Sequence, residues 1–136
     1  METARRRMGA VAKARLLTEV LRSFVLVHRR LRQRPLPEVV RELGVGLDAW
    51  WEPVRPLRMS RIVHRTLAIG RWHPRCLIMA LVLYRLLRAQ GDDAELVIGL
   101  PTEARDKDAH AWVEIDGRDV GPPPGRSGHE ELARYP

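Results

Sequence analysis

Cys76 is the only cysteine in the chain, and it stands two residues after Pro74 at the head of a long apolar run, Leu77 to Tyr84. Proline at a helix start followed by such a run places Cys76 in a first helical turn. Backbone N–H groups there lack helical partners and the helix dipole is positive, so a thiolate is favoured over a thiol. Arg75 adds positive charge beside it. A thiolate so placed is a nucleophile, provided a base lies within hydrogen-bond reach. His110, which opens the segment Ala111-Trp112-Val113-Glu114, is the candidate base. The plain alternatives are an inert buried cysteine and a histidine that merely caps a strand.

The other histidines have less chemistry to offer. His28 and His64 fall inside helical patterns and His129 lies near the end of the chain. His73 is better placed to cap the following helix than to turn its ring onto the thiol. No H-x-x-x-H spacing supports a metal site, and one cysteine excludes both an intramolecular disulfide and a cysteine-rich zinc site. No glycine-rich phosphate loop is present. Neither a metal nor an organic cofactor is therefore expected. A single free thiol fits a reducing, cytoplasmic setting.

The net charge of +7 is carried by arginine, since Lys13 and Lys107 are the only lysines. The arginines are spread along the chain without a long basic block, so an acidic peptide or protein partner uses the charge more economically than nucleic acid does. The basic start, Arg5-Arg6-Arg7, is not followed by an apolar segment with a cleavage site. The longest apolar run is far short of a bilayer span. No membrane partner is expected.

These candidates need elements to hold them. At 136 residues with 45% hydrophobic composition the chain suits one domain with its own core. Leu17, Val20, Leu21, Phe24, Val27 and Leu31 recur at helical spacing within 10–31, with Pro35 and Pro37 as stops. A short helix follows, Val39, Val40 and Leu43 inward and Gly44 ending it. Residues 47–57 hold Trp50, Trp51, Pro53 and Pro56 and read as an irregular segment, its tryptophans either a plug under a loop or a peptide-binding surface. Helices over 59–69 and 74–90 come next, the second apolar nearly all round and hence buried on most sides. Strands are expected over 94–100, 110–115 and 118–121, the last two joined by the hairpin signal Asp116-Gly117. Residues 102–108 read as a charged loop. Pro122, Pro123 and Pro124 end the third strand, and the polar tail over 125–136 is expected to be loosely held. The resulting division is a helical part (1–58), a core (59–122) and a tail (123–136) of one α+β domain.

Cys76-Leu77 with Ala80-Leu81, Leu86-Leu87-Arg88, Gly91, the strand Ala94 to Gly99, and above all the block Ala109-His110-Ala111-Trp112-Val113-Glu114 with Asp116-Gly117 resemble the lasso-peptide biosynthesis B2 proteins. Those are leader peptidases of the transglutaminase-like superfamily. The resemblance covers Arg61 to about Val120; the residues before Met59 are only generally like the helical start of that family.

The resemblance implies a papain-like arrangement, a core helix carrying the cysteine packed on an antiparallel sheet carrying histidine and an acid. Cys76 and His110 fall on the nucleophile and base. The family's aspartate on the returning strand has no counterpart, because Pro122 occupies its place. Asp119 is the remaining acidic candidate; Asp116 reads as a turn residue. The alternative is a Cys76–His110 dyad. The implied partners are a precursor peptide, a separate leader-recognition protein and a separate lasso macrocyclase. An acyltransferase of the same superfamily and a degenerate, non-enzymatic peptide-binding module are the competing readings.

Overall fold

The structure, a computed structural model, describes residues 9–45, 47–68, 76–101, 110–121 and 129–136. His73, Pro74, Arg75, the loop over 102–108 and Pro122 lie outside the described residues. The elements are α1 (Ala10–Gln33), α2 (Leu36–Val45), α3 (Pro56–Leu67), α4 (Cys76–Ala89), β1 (Ala94–Pro101), β2 (His110–Ile115), β3 (Arg118–Gly121) and β4 (His129–Tyr135). The expected α+β class is observed: among the described residues four helices lie with one antiparallel sheet of order β3-β2-β1-β4.

The apolar composition of α4 decides the layout. Ile78 to Tyr84, Leu86 and Leu87 are all buried, so the helix must be covered on nearly every side. α1, α2 and α3 pack against it, and the sheet does so through β1 and β2. The pleat sorts the sheet residues into two faces. Ala94, Leu96, Ala111, Val113 and Val120 join the helical core. The alternate residues Val97 and Trp112 are buried on the opposite face, away from that core. Burying a leucine or valine fully is worth roughly 1.5–3 kcal/mol, so α4 is the main source of cohesion.

Short connections fix the directions. Gly91, at φ 97°, ends α4. Its N–H donates to the Arg88 carbonyl and that of Asp92 to the Leu87 carbonyl, the paired bonds of a Schellman cap. The chain therefore reverses at once and β1 runs back along α4. Asp116 (φ 52°) and Gly117 (φ 76°) make the tight turn between β2 and β3.

Three expectations need correction. The buried stripe of α1 is Leu16, Glu19, Val20, Ser23 and Val27, while Leu21 is half exposed. The helix is rotated because Arg85 of α4 reaches Ser23 (2.7 Å) and Glu19 (3.4 Å), drawing two polar residues inward. Gly44 does not terminate α2 but lies within it; a Cβ there would sit 2.9 Å from the Tyr84 hydroxyl. Residues 129–135 are not a loose tail, because they pair with β1 as β4.

Trp51 resolves into the plug. It packs half-buried on the core, its indole N–H donating to Gln90 Oε1 (3.1 Å). Gln90 also accepts the Val54 N–H and donates to the Val54 carbonyl, tying the proline-rich segment to the end of α4. Trp50 stays half exposed, edge-on to Trp51.

Candidate active site

Cys76 is the first residue of α4 and is partly exposed. His110 is the first residue of β2, half-buried with its Nδ1 out of contact with solvent. α4 begins at Cys76, β2 begins at His110, and the two elements pack against each other. The 14 residues of α4 span about 21 Å. After the turn, β1 covers about 17 Å between Ala94 and Gly99 and packs against α4. Gly99 is the register partner of His110.

The head of β2 is braced from the face away from α4. His110, Trp112 and Glu114 share one parity of the strand. The Trp112 indole N–H donates to Glu114 Oε2 (2.8 Å). Glu114, almost fully buried, also accepts from Arg134 of β4 (3.1 Å). The same guanidinium bonds Glu95 of β1 (3.2 Å) and Glu131 of β4 (2.6 Å). These bonds, that to Glu131 foremost, hold the Arg134 pKa above its ordinary value. One arginine thus joins three strands and compensates the buried charge of Glu114. The sequence reading missed this support. No local signal announced it, because Arg134 is one charged residue in a polar stretch.

Asp119 is set apart from His110. Its register partner is Glu114, four residues and about 13 Å of strand from His110. Asp119 is exposed, and its Oδ1 accepts the Gly121 N–H at 2.7 Å, a local turn bond. Asp116 is in the turn. Among the other histidines, His28 is on the exposed side of α1 stacked with Phe24, and His64 is in α3. Among the described residues, no group of three or more His, Cys, Asp or Glu side chains is arranged to hold a metal, and no helix is long and apolar enough to cross a membrane.

The sequence model of the transglutaminase-like superfamily matches residues 10–134. The chain belongs to that superfamily. No curated protein and no solved structure matches it. The match spans all four helices and all but the end of the sheet, so the helical part before Met59 is as much a part of the transglutaminase-like domain as the Cys76–Gly121 core. β4 falls within the matched residues as far as Arg134.

Proposed function

We propose that this transglutaminase-like domain is a cysteine peptidase that removes the leader from a ribosomally made lasso precursor peptide in the cytoplasm. What supports the reading is a thiol at the first residue of α4, Cys76, together with a histidine at the first residue of β2, His110, a strand that packs on α4. The superfamily commonly includes cysteine proteases. The finer assignment rests on the B2-like residues around Cys76 and His110.

His110 takes the Cys76 proton and the sulfur attacks the scissile carbonyl. N–H groups at the head of α4 stabilise the oxyanion. His110 returns the proton to the leaving amine, which is the new N-terminus of the core peptide. The leader remains as a thioester, and water releases it as a carboxylate while the thiol reforms. His110 shares the parity of Trp112 and Glu114, on the face of β2 away from α4, so in this reading the sulfur and imidazole would have to meet around the end of the strand. Pro122 at the family's acid position and the register of Asp119 favour a dyad. A separate leader-recognition protein presents the precursor, and a separate macrocyclase consumes the freed amine.

The test is cleavage of a precursor by wild type, Cys76→Ala and His110→Ala with the recognition protein present. Both variants are expected to be inactive; cleavage by Cys76→Ala at the wild-type rate removes the proposal. A product carrying an added amine instead of a carboxylate assigns the acyltransferase reading. The same missing acid also supports a degenerate peptide-binding module. Slow alkylation of Cys76 near neutral pH, with no cleavage by wild type, selects that reading.

A further inference from the structure

Helix α3 carries an arginine on every accessible turn. Arg55 precedes it, and Arg58, Arg61 and Arg65 follow along one side. Across from them stands Arg118 of β3. Together they line a groove between α3 and β3 made of two adjoining cavities, about 830 and 540 Å³, which share Leu57, Arg61 and Val120. Among the described residues none of these five guanidiniums forms an ion pair, a state they share with Arg15, Arg29, Arg32 and Arg41; Arg22, Arg30, Arg34, Arg85, Arg88 and Arg134 are paired. The acids at the groove are Asp116 in the turn and Asp119, whose Oδ1 already accepts a backbone N–H.

Three further features give the groove a direction and a chemistry. Its apolar floor includes Leu57, an exposed leucine (61% exposed) set among the arginines. Its far wall is β3, an edge strand of the sheet, and an edge strand can take an extended peptide through its backbone. The register leads toward the candidate site: Arg118 is opposite Ile115, Gly121 opposite Val113, and His110 lies further along the same line of β2. His64, whose Nδ1 is buried with no hydrogen-bond partner, lines the inner cavity.

We infer that the α3–β3 groove binds an extended acidic segment of the peptide substrate, with carboxylates on Arg55, Arg58, Arg61, Arg65 and Arg118 and an apolar side chain on Leu57. The 12 residues of α3 span about 18 Å, room for about five or six extended residues. Nucleic acid is the less fitting occupant. A groove with an apolar floor along a strand edge suits alternating side chains better than a phosphate backbone. The inference rests on the peptidase reading for its biological use, but binding is separable from cleavage.

The experiment uses the full chain bearing Cys76→Ala and a fluorescein-labelled peptide of about eight residues alternating glutamate and leucine. Anisotropy is expected to report saturable binding that weakens as salt rises. Arg58→Glu with Arg61→Glu should weaken it at least tenfold. Arg15→Glu with Arg29→Glu, on exposed α1, should change it less than twofold, and thermal melts of both variants exclude unfolding as the cause. Equal binding of a lysine–leucine peptide overturns the inference, as does insensitivity to the α3 reversals. So does single-stranded DNA that binds more tightly than the acidic peptide through the same arginines. Acidic-peptide binding with no precursor cleavage by wild type leaves the groove standing and removes the peptidase reading. Cleavage that is indifferent to the α3 reversals does the reverse.

Discussion

Trp112 of β2 lies over Gly99 of β1 so closely that a Cβ at Gly99 would be 2.6 Å from Trp112 Cη2, and 2.8 Å from the Glu130 carbonyl on the other flank. Gly99 is needed for space between three strands, and it is also the register partner of His110. The indole is held by Glu114, so it cannot give way without breaking that bond. Gly99→Ala is therefore expected to destabilise the fold by about 1–3 kcal/mol in urea unfolding. It should also lower precursor cleavage beyond the loss explained by unfolded protein, because the head of β2 shifts. A variant of parental stability contradicts the packing argument.

The buried link between α1 and α4 is a second exposed dependency. Glu19 is 2% accessible, and its main cation is Arg85, which also donates to Ser23. Burial lowers the Arg85 pKa and Glu19 opposes that shift. Arg85→Ala strands a carboxylate in the core and is expected to cost about 3 kcal/mol. The double variant Glu19→Leu with Arg85→Leu should recover most of that loss. A double variant no better than Arg85→Ala shows that the pair, not the isolated charge, is what matters.

That link also marks where the sequence stopped being readable. α4 was legible because its apolar residues run all round, and the β2–β3 turn because Asp116-Gly117 is a local signal. The extent of α1 was legible too, but its buried face was not. A periodicity count scores Glu19 and Ser23 as outward, and only the arrival of Arg85 from α4 reverses this. β4 failed for the same reason. His129–Tyr135 reads as polar chain until Arg134 meets carboxylates from β1 and β2. Cys76 and His110 could be picked out as candidates from their local settings. The α3–β3 groove could not, since it depends on which helix lies beside the edge strand.

The bracing of β2 gives a contrast between two acidic side chains. Arg134→Ala leaves Glu114 buried without its cation and is expected to cost about 1–3 kcal/mol, read from the denaturation midpoint. It should impair cleavage as well, since Trp112 and Glu114 carry the strand that begins with His110. Asp119→Asn is expected to retain most of the cleavage rate, its known bond being local to Gly121. A loss of a hundredfold or more in Asp119→Asn, with stability kept, makes Asp119 the orienting acid and ends the dyad reading.

Tyr84 supplies a pH test. It is buried in α4, its hydroxyl donates to the Pro136 carbonyl oxygen (3.0 Å), and Gly44 leaves the room for it. Burial raises the phenol pKa above 10.0, and Arg88, over the ring at 6.0 Å, offsets part of the rise. The folded state thus holds the proton more tightly than the unfolded state. Its contribution is complete below the unfolded value and is lost as pH rises through the folded one. Tyr84→Phe should cost about 1 kcal/mol near neutral pH through the lost hydrogen bond. The gap between parent and variant should then narrow as pH climbs above about 10, because only the parent must ionise a buried phenol or keep it protonated. Urea unfolding at a series of pH values measures this directly, and a constant gap across the alkaline range would show that Tyr84 titrates alike in both states.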